Sequence, residues 1–410
     1  MAEAEQLSWE ERCAIEAISC KRSRAFMFER HCVIKNKEGN LQLLSPLKRA
    51  QRKALAVIEG ERKAGKPVRV IIGKSRKQGE STIIEADLFA EVLERGIDAL
   101  VITHKKDLSE YVFGITSRYY QYWDKSFAPG IPPLWKPELY KGHTNKGEMR
   151  FQGREGKILI DTANNLYAGT GTTPHYIHNS EGAKWLKGAE TVKSLNQSIG
   201  RKAGTTVVDE STFCGYDSLF LPKWEAAYNN SKLTWTEDPV TRALSYSFEV
   251  TNHREWNGFI PIFISAMEDE DIWESFKDKD DKRRFIETLD PYEQNLLKSM
   301  GATPEFLHGR RMILKNQCEN DLDTLKQEYP VTPSEAVRSS GRCRFDHNFL
   351  DSQPIEDGEK VALHYSDRWD KKIEYKRDNT SPFTVFLHPK SNHRYVIGVD
   401  VAEGKLDDNG

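Results

Sequence analysis

Short apolar runs recur along this chain and alternate with amphipathic stretches. Ser8-Trp-Glu-Glu11 has capping-box spacing, and Ala14, Ile15 and Ile18 follow at helical intervals, so a helix is expected there. Phe26-Met-Phe28 leads to an expected strand over His31-Cys-Val-Ile34, then to a helix from Leu44 to Ile58 that contains Pro46 and Gln51. From residue 68 the alternation becomes regular. A strand over 68–72 is followed by a helix from Ser81 to Arg95, with Ile84, Leu88 and Val92 on one face. Ala99-Leu-Val-Ile102 reads as a second strand and Asp107 to Trp123 as a helix rich in aromatics, followed by a proline-rich irregular loop to Trp135. Further apolar runs are Ile158-Leu-Ile160, Tyr176-Ile-His178, Val207-Val208 and Ile260-Pro-Ile-Phe-Ile264. Such runs separated by helices predict an α/β fold with a mostly parallel, helix-covered sheet. Residues 268–290 read as a solvated helical face, and Glu293 to Glu335 as helical again. A boundary falls near 341–347, and Val361–His364, Phe383–Leu387 and Tyr395–Val399 read as strands of a second sheet.

Composition narrows the class. The 410 residues are 30% charged and 38% hydrophobic, which fits a soluble globular chain of roughly two or three domains. No apolar run is long enough to span a bilayer, and the acidic start Met1-Ala-Glu-Ala-Glu-Gln6 has no signal-peptide pattern, so a cytoplasmic protein is expected. The net charge is −2, which confines any nucleic-acid surface to a local patch. Candidate patches are Lys21-Arg22-Ser-Arg24, Lys48-Arg49 and Arg310-Arg311. The six cysteines (13, 20, 32, 214, 318 and 343) form no C-x-x-C pair; reduced thiols and no zinc site are expected.

The candidate chemistry begins at Gly73-Lys-Ser-Arg-Lys-Gln-Gly-Glu-Ser-Thr82, between a predicted strand and a predicted helix. This is the context of a phosphate-binding loop, with its positive charge displaced. Glu80 stands where a standard P-loop has lysine, and Lys74, Arg76 and Lys77 come earlier. Gly79 permits a tight turn, Ser81 and Thr82 open a helix whose N-terminus attracts anions, and the Ser81 hydroxyl can reach a Mg²⁺. Arg76 can grip phosphate bidentately. Hydrolysis also needs a strand-end carboxylate; Asp209-Glu210 after Thr206-Val-Val208 and Glu181 both qualify, and sequence position alone favours neither.

Five segments in order resemble the large terminase subunit of tailed bacteriophages, over about residues 25–410. They are Lys74–Thr82, Tyr176-Ile-His-Asn-Ser-Glu-Gly-Ala-Lys-Trp185, Val208-Asp-Glu-Ser-Thr-Phe-Cys-Gly-Tyr216, Gln327–Ala336 with Ser340-Gly341 and Phe345, and Tyr395-Val-Ile-Gly-Val-Asp-Val-Ala-Glu-Gly404. The resemblance implies a P-loop NTPase motor of the ASCE type over 1–345, with a helical lead-in at 1–60 and a lid or linker from about 265. The beginning of an RNase H-like α/β nuclease at 346–410 would follow. It implies ATP and Mg²⁺ at Gln51, Lys74, Ser75, Arg76, Lys77, Gln78, Gly79, Ser81 and Thr82, with Ser81 on the metal. Glu181 would be the catalytic glutamate, Ser211-Thr212 the coupling pair, and Asp400 the first nuclease carboxylate on Mg²⁺ or Mn²⁺, with Asp407 or Asp408 assisting. The implied partners are double-stranded DNA, the small terminase subunit, the portal protein and other copies in a ring, in the host cytoplasm and transiently at the procapsid portal.

The sequence departs from that pattern in three places. Glu80 is expected to bring a negative charge near the phosphates. Asn179-Ser180 precedes Glu181 where an aspartate is usual. Ala168-Gly-Thr-Gly-Thr172 lacks the arginine often found just before that strand, so no arginine finger is assigned; Arg201 and Arg254 are only candidates. The remaining nuclease acids are expected beyond residue 410, so this chain alone should not cut DNA. A helicase-like nucleic-acid-remodelling ATPase and a non-hydrolysing prophage relic are the alternatives.

Overall fold

The computed structural model describes residues 7–141, 147–165, 173–186, 190–192, 195, 198–214, 217, 219–338, 359–365, 373–377 and 384–385. The chain divides into two compact units, Met1–Gly341 and Arg342–Gly410. The first opens with helices α1 (Trp9–Arg22) and α2 (Arg24–His31) and a short antiparallel pair, β1 (Val33–Lys35) and β2 (Leu41–Leu43). The capping box holds: Ser8 Oγ accepts from the Glu11 N–H at 3.2 Å, and the Ser8 N–H donates to the Glu11 carboxylate at 2.8 Å. The strand expected over 31–34 is present as β1 but starts two residues later, at Val33, because α2 runs on through His31. Ser23 closes α1 and caps α2, accepting from the Phe26 N–H, and this places Met27 and Phe28 in the core at helical spacing. Likewise α3 (Arg49–Lys63) begins five residues later than Leu44 and runs five past Ile58.

The sheet is then laid down strand by strand: β3 (Val68–Lys74), helix α4 (Glu80–Arg95), β4 (Ala99–Thr103), helix α5 (Lys106–Trp123), β5 (Glu148–Arg150), β6 (Lys157–Thr162), β7 (Tyr176–Ser180) and β8 (Thr206–Ser211). A hairpin, β9 (Ser231–Glu237) and β10 (Leu244–Val250), comes before β11 (Ile260–Ile264). The seven-stranded order is β11-β3-β8-β7-β4-β6-β5, parallel except for β5. In this register Gly73 lies opposite Ser211, and Ser180 opposite Glu210. The carboxyl ends of β3, β8 and β7 therefore finish side by side, where open α/β sheets place their ligands.

Helix α4 is the spine of this unit, and its burial explains both its apolar and its acidic residues. Ile83, Ile84, Leu88, Phe89 and Val92 are buried, and so are Glu85, Asp87 and Glu91. Buried carboxylates need partners. Asp87 receives Arg62 at 3.0 and 2.8 Å and the Tyr176 hydroxyl at 3.0 Å. Glu91 receives Arg24 at 2.8 Å, and Arg24 also donates to Glu94. Arg24 thus pins α2 onto α4.

The hairpin β9–β10 alternates half-buried and exposed positions along its whole length and lays Leu233, Trp235, Tyr246 and Phe248 on the core. The acidic stretch after β11 begins clamped rather than solvated. Asp269 and Glu268 bind Lys48, Arg49 and Lys53, because the start of α3 is basic and faces them. Only its helix Lys279–Glu287 has no buried residue. Helices Pro291–Ser299, Pro304–Gln317, Leu322–Glu328 and Pro333–Arg338 follow, most of them around a small core of their own that includes Leu296, Phe306 and Leu325. In the second unit, β12 (Glu359–Tyr365) pairs antiparallel with β13 (Ile373–Arg377) and β14 (Thr384–Val385). Asp400, Asp407, Asp408 and the Tyr395–Val399 run lie outside the described residues. No helix among the described residues is long and apolar enough to cross a membrane.

Replacing Arg24 by methionine should destabilise the first unit by about 2 kcal/mol in urea unfolding, since the buried Glu91 carboxylate keeps only Arg95, at 2.9 Å, as a close donor. The same change in an Arg24→Met, Glu91→Gln double variant should cost clearly less.

Candidate functional site

The loop between β3 and α4 is fixed from several sides. Gly73 ends the strand against Phe213, and a Cβ there would sit 2.5 Å from that ring. The Ser75 N–H donates to the Ile264 carbonyl at 3.0 Å, and the Arg76 N–H to that of Glu328 at 3.0 Å. Gly79 turns the chain into α4 in the left-handed region, at φ 80°. Gln51 braces this turn: its Nε2 donates to the Gly79 carbonyl at 3.1 Å and its Oε1 accepts from the Lys48 N–H at 3.0 Å. Inside the loop, Ser75 Oγ and both polar atoms of the Gln78 amide are buried with no hydrogen-bond partner. Such orphaned groups fit a loop shaped around a polar ligand.

Beneath the loop lies a row of buried charges of alternating sign. Lys74 Nζ is 2.8 Å from Glu210 Oε2 and 3.1 Å from Glu181 Oε1, and the lysine is only 6% exposed. Burial alone would favour the neutral amine, but Glu210 and Glu181 outweigh it and keep the ammonium protonated. Glu181 follows β7 in the left-handed conformation, φ 55° and ψ 45°, which for a non-glycine residue costs on the order of 1 kcal/mol. Burial would raise its pKa, yet Lys74, and Lys184 at 2.8 Å, hold it low and ionised. The Thr212 hydroxyl donates to Glu181 Oε2 at 3.4 Å.

Glu210 continues the row. Its Oε1 accepts from Ser81 Oγ at 2.7 Å and from Ser180 Oγ at 2.8 Å. His178 lies with Nε2 at 3.5 Å from that oxygen and Nδ1 at 2.6 Å from Glu85, which also accepts from Thr116. Burial opposes charge on His178, but the bonds to Glu210 and Glu85 outweigh it and lift its pKa to about 9. Lys74 in turn holds Glu210 well below the usual carboxylate range, against its burial.

The structure thus brings Lys74, Ser81, Glu181 and Thr212 together, with Ser75, Gln78 and Gly79 around them. Other expected site residues point elsewhere. Arg76 is exposed and its Nε pairs with Glu328 at 2.8 Å; Lys77 is exposed. The Thr82 carbonyl accepts from the Tyr119 hydroxyl. Ser211 is on the far face, its Oγ accepting from the Ala183 N–H at 3.2 Å and so supporting the turn that carries Glu181. Asp209 shares that face, bound to Asn179 and Lys223. Arg201 and Arg254 are exposed.

One expectation is corrected. Glu80 brings no full negative charge to the loop at neutral pH. Its carboxyl is 1% exposed with both oxygens unpartnered, and burial pushes its pKa up to about 8. Of the candidate basic patches, Lys21 and Arg22 are exposed, whereas the other basic members are engaged within the fold. Arg24 and Arg310 are buried, Arg310 against Tyr292 and Glu335; Lys48, Arg49 and Arg311 are held by Asp269, Glu237, Glu268 and Glu293.

Glu85 and His178 were missed by sequence reasoning. The available signal was the period of β7: Tyr176, His178 and Ser180 alternate toward the α4 side, where Asp87, Glu85 and Ser81 meet the same network. Among the described residues one further cluster has metal-ligand character, Glu16, Cys20 and His31. Arg30 already binds both oxygens of Glu16, at 2.6 and 2.8 Å, so the cluster is a satisfied ion-pair network.

No protein-family model matches the sequence, and no curated protein matches it. Among solved structures the fold is similar to large-terminase ATPase domains. A point mutant of the Thermus phage P74-26 large terminase ATPase domain shares 12% identity over 67% of this chain and 92% of its own, with a TM-score of 0.39. The bacteriophage HK97 large terminase shares 12% over 88% of this chain and 63% of its own, at 0.43. The large terminase of a thermophilic bacteriophage, in complex with ADP, shares 11% over 78% and 62%, at 0.36. At these values the likenesses decide neither reaction nor substrate.

Glu80 and His178 bind protons more tightly folded than unfolded, from ordinary values of 4.5 and 6.5. The stability they contribute is therefore lost as pH rises, through about 8 for Glu80 and about 9 for His178. Glu80→Gln should flatten the decline in unfolding free energy between pH 5 and pH 9, measured by urea titration against wild type. Parallel curves would show that Glu80 is ionised in the fold.

Proposed function

We propose that this chain is the ATP-hydrolysing motor of a phage large terminase, which drives double-stranded DNA into a procapsid. The observation that carries the reading is the meeting of Lys74, Glu181, Thr212 and Ser81 at the aligned ends of β3, β7 and β8, under a loop with orphaned buried polar groups. ATP phosphates enter the loop at 73–82, where Gly79 and the α4 N-terminus offer backbone N–H groups. They compete with Glu181 and Glu210 for the Lys74 ammonium. Glu181, kept ionised by Lys74 and Lys184, accepts from and orients the attacking water. The donor set fits a metal, since Ser81 presents a hydroxyl at the helix N-terminus. Mg²⁺ held there would neutralise charge on the phosphates. Thr212 touches the oxygen of Glu181 that Lys74 does not, so a shift of Glu181 is felt at the exit of β8. Duplex DNA, a small terminase subunit, a portal and a ring of like copies are the partners of this reading. Asp400 is proposed to begin its nuclease site.

Hydrolysis measured with and without duplex DNA tests the motor. Glu181→Gln should lower the rate by about 10²–10⁴-fold while nucleotide binding persists. Lys74→Ala should abolish both. Hydrolysis by Glu181→Gln at the wild-type rate would disprove the mechanism.

A further inference from the structure

We propose that Glu210, on the strand beside the one that leads to Glu181, supplies the carboxylate of the nucleotide's Mg²⁺ site in place of the side chain at Ser180. The proposal rests on the ATPase reading above. A P-loop Mg²⁺ is held by the Ser or Thr that opens the helix and by an acid from a neighbouring strand. The strand expected to provide that acid is β7, but it ends Asn179-Ser180-Glu181. Asn179 faces away toward Asp209, and Ser180 bears only a hydroxyl.

The gap is filled from β8. That strand lies between β3 and β7, so its side chains are nearer the loop than those of β7. Ser180 and Glu210 are register partners, and Ser180 Oγ donates to Glu210 Oε1 at 2.8 Å. Ser81 Oγ donates to that same oxygen at 2.7 Å. One carboxylate oxygen thus gathers the helix-opening hydroxyl and the side chain that stands in the usual acidic position. Glu210 is fully buried, and the ionisable groups that face it are Lys74 from β3, His178 from β7, Glu181 just after β7, and Glu80 from the first turn of α4. The two hydroxyls satisfy Oε1 as a buried carboxylate requires, and in doing so they set this acid against the helix-opening hydroxyl that a P-loop Mg²⁺ would use.

The test uses the full chain, a fluorescent ATP analogue titrated in Mg²⁺ and in EDTA, and Mn²⁺ binding to the nucleotide complex read by electron paramagnetic resonance. In Glu210→Gln, Mn²⁺ affinity should fall about tenfold or more. Metal-free nucleotide affinity should not fall, because Lys74 loses a competing carboxylate. Ser180→Asp in the Glu210→Gln background should restore Mn²⁺ affinity by returning an acid to the same point. Wild-type Mn²⁺ affinity in Glu210→Gln overturns the assignment, and so does a loss that Ser180→Asp does not repair. If Glu210→Gln does not fold, Glu210→Asp keeps the charge and withdraws it by one methylene; undiminished Mn²⁺ affinity there also overturns it. A wild type that binds no nucleotide overturns the ATPase reading and this assignment together, whereas nucleotide binding with a Glu210-independent metal gain overturns this assignment alone.

Discussion

The Lys74 ammonium, buried at the end of β3 between carboxylates from two other strand ends, is the constraint around which the site is built. An ammonium in that position is tolerable only if its partners are close and their own remaining oxygens are satisfied. Glu210 meets the condition through Ser81, Ser180 and His178, and Glu181 through Lys184 and Thr212. Each of those residues belongs to a different stretch of chain. The parallel register of β3, β8 and β7 is what brings them within hydrogen-bond distance, so a slip of one residue in any of these strands would turn its acid or base to the opposite face.

The row is close to electrically neutral. Lys74, His178 and Lys184 oppose Glu85, Glu181 and Glu210, and Glu80 is mostly protonated at neutral pH. A neutral, rigid row has no excess positive charge waiting for phosphate. Under the proposed nucleotide binding, anion affinity would come from the backbone N–H groups of the loop and the α4 N-terminus, and from releasing Lys74 from its acids. This gives the displaced basic residues of the loop different tasks. Lys74 is electrostatic cement, while Arg76 ties the loop to Glu328.

Much of this was legible in the sequence, and the failures have physical causes. The strands and helices of the sheet stood out because buried parallel strands are continuous apolar runs. The β9–β10 hairpin alternates cleanly, Leu233 and Trp235 against Tyr246 and Phe248, but its short polar-interrupted strands do not resemble such runs. The α2 helix went unassigned because Phe26, Met27 and Phe28 form a short continuous apolar run; only Ser23 as a cap reveals the helix. Glu181 was one of two strand-end candidates beside Asp209-Glu210, and only the resemblance chose it. The roles of Glu85, His178 and Glu210 depend on which strand neighbours which, and one sequence does not contain strand order. Glu80 was misjudged because charge was assigned from residue type, whereas burial decides it.

The contacts that fix the loop also say how a change at the nucleotide would leave it. Gly73 and Phe213 pack closely, since no Cβ fits between them, so the ends of β3 and β8 are tied at that point. The Phe213 carbonyl accepts from Gln327, and the next residue, Glu328, holds both the backbone and the side chain of Arg76. Helix Leu322–Glu328 therefore touches the phosphate loop and the strand end next to Thr212 at adjacent residues. A displacement of Thr212 relative to the loop cannot be absorbed by both contacts at once, because two neighbouring residues on one helix are rigidly spaced. The helix must follow one and break with the other. If the proposed hydrolysis takes place at Glu181, Gln327 and Glu328 are where it would be passed to the helical segment behind them.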